Sequence, residues 1–122
     1  MMLRIILLVI LAMPSSALAQ WLNGNRLYSD MLDSKRAQAS NGGKPDLGVD
    51  VEKVAWLHTM GYITGVADAF GGTSFCVPKN IPVGRLMDII FLYLEANPNR
   101  RKEKAAALVV SALSAKFPCP KG

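Results

Sequence analysis

Residues 61–76 read GYITGVADAFGGTSFC, and the way this stretch is packed decides the fold. Val51, Val54, Ala55, His58, Tyr62, Gly65, Val66 and Ala69 recur at intervals of three and four. That spacing predicts one face of a helix of about twenty residues. Asp50 is placed to cap its first amides, and the Gly71-Gly72 pair is placed to end it in the left-handed conformation that other residues avoid. A glycine inside a helix costs about 1 kcal/mol relative to alanine. Gly61 and Gly65 therefore call for compensation, and with Ala69 they form a small-residue ridge that a neighbouring helix is expected to approach closely.

Three more helices follow from the flanking sequence. WLNGNRLYSDMLDSKRAQA, residues 21–39, sets Leu22, Leu27, Met31 and Leu32 at helical spacing, with Asn23 or Asn25 as the cap. SNGGKPDLG, residues 40–48, is polar, glycine-rich and broken by a proline, and predicts a loop. After the irregular TSFCVPKN, Pro82 is suited to the first turn of a third helix. Val83, Leu86, Met87, Ile90 and Leu94 make the core stripe of that helix. Ile89, Phe91, Leu92 and Tyr93 extend its apolar surface almost all round, which predicts a central helix or a subunit interface. A fourth helix is expected from Asn97-Pro98 to Phe117, with Ala105, Leu108, Val109, Ala112, Leu113 and Phe117 on one side and Pro118 as the stop. The fold class is all-α: a small four-helix domain with no repeat and no second domain.

The chain opens MMLRIILLVILAMPSSALAQ, with Arg4 ahead of an apolar run from Ile5 to Met13 and a small-x-small triplet at Ala17-Leu18-Ala19. This is the build of a cleaved secretory signal peptide over residues 1–19, with the cut after Ala19, and the run is too short for a membrane span. Residues 20–122 then form the single mature domain, with no span of its own. Thirteen Lys and Arg remain against nine Asp and Glu, a net +4. The signs are interspersed and no aromatic-basic interleaving occurs, so nucleic acid is not an expected partner. Cys76 and Cys119 both lie beyond the leader. In an oxidising compartment two cysteines in a small domain are expected to pair, and closing a loop of about 44 residues is worth about 4 kcal/mol in the chain-entropy model. A free thiol is the rival reading, weakened at Cys119 by the prolines at 118 and 120.

No constellation for catalysis stands out. His58 is the one histidine, and of the polar residues on its own helix only Tyr62 lies one turn away, so neither a nucleophile with an orienting carboxylate nor a metal ligand set is in view. No phosphate-binding glycine loop, CxxC or paired-carboxylate motif is present. The chain reads as a non-enzyme without a cofactor. Asp68 is expected to bond the turn after its helix or to pair with Arg85, with contact to a partner as the alternative. Arg100, Arg101, Lys102 and Lys104, placed in the first turns of the fourth helix, oppose its macrodipole. They read as a solvated surface paired with Glu103, or as a site for an acidic partner.

GYITGVADAF, FCVPKNI, YLEANPNRR, AAALVVSAL and the closing FPC, together with LNGNRL near the mature N-terminus, resemble in order and spacing the Rap/Tai family of periplasmic immunity proteins of type VI secretion. The resemblance implies a small all-α periplasmic protein, often a dimer, that binds and blocks a peptidoglycan-cleaving amidase effector without catalysing anything. By matching position Cys76 and Cys119 correspond to the family disulfide. Gly61, Tyr62, Gly65, Asp68 and Pro78 correspond to signature positions expected to be mostly structural. Relatives often carry a second cysteine pair, where this chain has Met31 and Thr59. Loop 73–82 is the candidate protruding element, with Lys79 and Asn80, and beyond it Arg100 and Arg101, as the expected partner contacts. Two other functions stay in view: an HdeA-like periplasmic stress chaperone, which needs an acid trigger that the few carboxylates and single histidine do not suggest, and an envelope adaptor domain.

Overall fold

Helix α1 begins where its amides find acceptors. The computed structural model describes residues 21–40 and 51–121, and α1 spans Gly24–Ser40. The Gly24 N–H donates to Glu103 O at 3.0 Å, the Asn25 N–H to Arg101 O at 2.8 Å and the Leu27 N–H to Asn23 O at 3.0 Å. The Arg26 N–H donates to Asn23 Oδ1, also at 3.0 Å. The first-turn donors that a helix leaves orphaned are thus satisfied, and Asn23 rather than Asn25 is the cap.

This docking is tight. A Cβ on Gly24 would fall 2.4 Å from Leu108 Cδ1 and 2.8 Å from both Cα and O of Arg101. Leu108 could swing aside, but the Arg101 backbone is held by the hydrogen bonds just named. Gly24→Ala is therefore expected to destabilise the protein by about 2 kcal/mol through overpacking. A thermal melt that stays unchanged would show that the 101–104 segment moves aside at no cost.

Helix α2 follows at Val51–Phe70, α3 at Val83–Ala96, a 3₁₀ turn at Pro98–Arg100 and α4 at Ala105–Lys116. The described chain is all-α, with four helices and one disulfide. The α1–α2 contact is the most extensive, and α4 lies mainly against α3. One core joins the four. Leu27 and Met31 enter it from α1, and Ile63 and Val66 from α2. Helix α3 supplies Leu86, Met87, Ile90, Phe91 and Leu94, and α4 supplies Ala105, Leu108, Val109, Ala112 and Leu113. Phe75, from the α2–α3 connection, is fully buried among them. On α3 the expected stripe holds, with Val83 only half-buried and Phe91 added. The Phe91 ring stacks on Tyr28 of α1 at 5.3 Å. Lys35 lies 4.6 Å from the Phe91 centroid and pairs with Asp88 at 3.0 Å.

Helix α2 buries a different face from the one expected. Thr59, Ile63 and Val66 point inward with Trp56, Met60, Tyr62 and Ala67 beside them, whereas Val54, Leu57, His58, Gly61, Gly65, Asp68 and Ala69 are exposed. Two stripes at helical spacing run along this helix. The one with Ile63, Trp56 and Met60 wins because each large side chain gains about 1.5–3 kcal/mol on burial, while glycine has no side chain to bury. Among the described residues nothing lies within 4 Å of a Cβ built at Gly61 or Gly65, so the expected ridge receives no neighbouring helix from them. Gly61→Ala and Gly65→Ala are accordingly expected to stabilise the protein, by up to about 1 kcal/mol each. Urea unfolding measures this, and a loss of stability at either position would contradict the open geometry.

The last helix begins later than expected. Pro98 starts a 3₁₀ turn, and α4 starts at Ala105 with Lys104 as its N-cap. Arg100, Arg101 and Lys102 therefore lie in the α3–α4 connection, outside α4, and the predicted conflict with its macrodipole is left to Lys104 at the N-cap. Pro118 follows the end of α4, and Phe117 is half-buried. Met31 and Thr59, which the resemblance set against a second cysteine pair in relatives, are both buried, at 2% and 0% exposure. Of the loop expected at 40–48, Ser40 is instead the last residue of α1; its residues 41–48, the expected signal peptide and the Asp50 cap lie outside the described residues.

Candidate functional site

The α2–α3 connection is short in regular structure but fastened at several points. Helix α2 ends as expected at the double glycine: Gly72 has φ +84° and its N–H donates to Phe75 O at 2.8 Å. Thr73 Oγ1 and the N–H groups of Thr73 and Ser74 donate to Phe70 O. Phe75 then plunges into the core, and the next residue, Cys76, is bonded to Cys119 across a sequence separation of 43. Two hydrogen bonds flank that bond: the Cys76 N–H donates to Phe117 O at 2.8 Å, and Ser114 Oγ donates to Ser74 O at 2.8 Å. The segment after α2 is thereby bound to the end of α4, as the cysteine pairing predicted.

Between these fastenings and α3, Pro78, Lys79 and Asn80 are exposed. Asn80 has φ +65°, a left-handed conformation that Asn tolerates better than most residues. The connection therefore presents a few polar side chains on a backbone held at its root by a buried ring and a disulfide. Such a surface loses little conformational entropy when it meets a partner.

Arg100 and Arg101 lie in the other connection and have partners within the chain. Arg100 Nε and Nη2 each bond a Glu103 carboxylate oxygen at 2.9 Å, and Nη1 bonds the Tyr93 hydroxyl. That pairing holds the Glu103 carboxyl below its ordinary range and raises Arg100 above its own. Arg101 Nε donates to Leu94 O at 2.7 Å and Nη2 to Glu95 O at 3.3 Å, satisfying carbonyls at the end of α3. Its guanidinium lies 3.8 Å from the Tyr28 ring centroid. The pairing with Glu103 was expected from the sequence; the contacts to Tyr93, Tyr28 and the α3 carbonyls were not legible there, because they need those residues and the turn at Pro98 to be folded together.

Of the family-signature positions, Gly61, Gly65, Asp68 and Pro78 are at the surface and Tyr62 is half-buried. Burial raises the Tyr62 hydroxyl above its ordinary range, partly offset by the backbone N–H of Ala106. Asp68 bonds neither the turn nor Arg85 among the described residues. The turn has its own donors, at Thr73 and Ser74, on Phe70 O.

His58 has a carboxylate neighbour that its own helix did not reveal. Asp30 of α1 is 6% exposed. Its Oδ1 accepts from Arg26 Nε at 3.0 Å, and its Oδ2 lies 3.4 Å from His58 Nδ1. The Arg26-Asp30 spacing of four was the available signal for this pair. A cleft of about 280 Å³ opens here, lined by Arg26, Asp30, Asp33, Val54, Ala55 and His58. Among the described residues that line it there is no serine or cysteine to act as a nucleophile. No group of three His, Cys, Asp or Glu among the described residues is placed to hold a metal ion. No helix among them is long and apolar enough to cross a membrane.

No curated protein matches the chain. The sequence profile of the Rap1a immunity proteins matches residues 23–119, from the cap of α1 to the second half-cystine, and the chain belongs to that family.

Proposed function

We propose that the protein acts in the periplasm as the immunity partner of a peptidoglycan amidase effector delivered by type VI secretion, blocking it by stoichiometric binding. Immunity by obstruction needs no catalytic group in the immunity protein. It needs a surface that keeps its shape while it covers the enzyme's nucleophile and excludes water. The connection at 71–82 supports this reading: Pro78, Lys79 and Asn80 stand exposed just beyond a fully buried Phe75 and the Cys76–Cys119 bond. Lys79 and Asn80 are the foremost contacts in this proposal. Arg100 and Arg101 contribute from the α3–α4 connection, to the extent that their internal bonds leave N–H groups for a partner. The resemblance also extends the proposal to a homodimer, which sedimentation of the mature chain measures.

The test is to search the reading frames flanking this chain's gene for an amidase, to co-express it with the chain in the periplasm, and to titrate the purified pair. Rescue of growth and a one-to-one complex are expected. Lys79→Glu combined with Asn80→Asp is expected to weaken binding at least about tenfold, roughly 1.4 kcal/mol, without moving the melting temperature. No complex with any neighbouring amidase would remove the proposal. An unaltered affinity in the double variant would remove the loop from it.

A further inference from the structure

We propose that the cleft between α1 and α2 at Asp30 is a receptor for a lysine side chain presented by a partner protein. Asp30 is more than nine-tenths buried, yet its two oxygens are unequally served. Oδ1 accepts from Arg26, whereas Oδ2 is shielded from solvent and accepts no hydrogen bond from the described residues, with His58 Nδ1 standing 3.4 Å away. A buried carboxylate oxygen without a donor is costly, and a cation that supplies one recovers that cost. Arg26 does not fill the need, because its side chain is 71% exposed and solvent weakens the pair.

The geometry also selects the kind of cation. A guanidinium binds best as a fork across both carboxylate oxygens, and one of these is already taken by Arg26. An ammonium is a compact charge that bonds a single oxygen, and Asp33 lines the same cleft, its Oδ1 already paired with Arg36 at 2.8 Å. Val54 and Ala55 form the apolar wall along which a four-carbon stem lies, and about 280 Å³ accommodates stem and head. His58 is exposed and makes no hydrogen bond to Oδ2, so its ring is free to turn aside and admit the head.

The occupant is protein-borne, because the cleft does not stand alone. Val54 belongs to the exposed α2 face that continues through Leu57 to Gly61 and Gly65, where no described residue lies within 4 Å of a Cβ built on either glycine and a partner's backbone can approach. A partner lying on that face is positioned to lower a lysine beside Val54 onto Asp30. The effector is that partner if the proposed function holds, but the site itself rests on the geometry alone.

The test uses the mature protein and two probes, Nα-acetyl-lysine methylamide and its Nε-acetylated analogue, which keeps the stem and removes the charge. The charged probe is expected to shift the amide resonances of Arg26, Asp30 and Val54 and the His58 ring signals saturably, with an affinity on the order of millimolar. The neutral analogue and Asp30→Asn are each expected to weaken the response about tenfold or more. Should Asp30→Asn fail to fold, Val54→Trp, at an exposed position, covers the cleft mouth and is expected to abolish the response. Equal responses to the two probes, or a response untouched by both substitutions, would overturn the site. A failed complex with the amidase alongside a normal lysine response would remove the proposed function and leave the site standing. An absent lysine response with a tight amidase complex would remove the site alone.

Discussion

Replacing Cys76 and Cys119 together by serine is expected to lower the unfolding free energy by about 4 kcal/mol and the melting temperature by roughly 15–25 °C. The magnitude comes from the chain between the bonded residues, whose sequence separation is 43. Without the bond, that length of unfolded chain regains its freedom, while the folded state keeps the neighbouring Cys76 N–H to Phe117 O and Ser114 to Ser74 O contacts. The loss is therefore expected mainly as a relaxed unfolded ensemble, with the helical content of the folded protein unchanged by circular dichroism. Calorimetry of the double variant, compared with the disulfide-bonded wild-type protein under non-reducing conditions, measures it. A shift of only a few degrees would mean that residual structure in the unfolded chain already confines that loop. Because a single domain commonly has only about 5–15 kcal/mol to lose, the effect is large enough to lower the amount of folded protein.

Phe75→Ala is expected to cost about 3–5 kcal/mol. Phe75 is the largest of the fully buried side chains, and it is the point at which the α2–α3 connection enters the core. Its ring edge lies 3.8 Å from a Cβ built at Gly71, so truncation opens a cavity beneath the turn as well as removing apolar area. The backbone bond from Gly72 N to Phe75 O does not need the ring and is expected to remain. Denaturant unfolding measures the loss, and hydrogen exchange at residues 72–80 reports whether the connection loosens first. A cost below about 1 kcal/mol would show that the surrounding side chains collapse into the space. Phe75 adjoins Cys76, so its loss and that of the disulfide are not expected to add, and a double-mutant cycle between them measures how far the two anchor the loop as one unit.

Much of the fold was legible in the sequence because it rests on strong local signals. The periodicity of α3 and α4, an asparagine cap at 23 or 25 and the double-glycine stop each act within one or two turns of chain, and the structure follows them, with Asn23 taken as the cap. The start of α4 was misjudged because Asn97-Pro98 serves equally as a helix cap and as the opening of a 3₁₀ turn. What ends the ambiguity is distant: Leu22 O accepts the Ala105 N–H, and Arg101 binds the last carbonyls of α3. The inward face of α2 was misjudged for a related reason. Two stripes share the spacing of a helix, and only the surfaces offered by the other helices select between them.

The same division runs through the candidate sites. That Cys76 and Cys119 would join, and that Lys79 and Asn80 would stand near the joint, followed from their positions in the chain. That Arg100 would pair with Glu103 followed as well, but the contacts of Arg100 with Tyr93 and of Arg101 with Tyr28 did not, nor did the cleft at Asp30, since its walls come from two different helices.

By itself the sequence determined the helices, the disulfide and the family, because spacing, capping residues and cysteine count act through near neighbours or through covalent bonds. Only the tertiary structure decided which glycine is crowded, which face of α2 meets water and which carboxylate oxygen is left without a donor. Those are properties of the space between helices, and burial is won by whichever surfaces fit together rather than by any one helix alone.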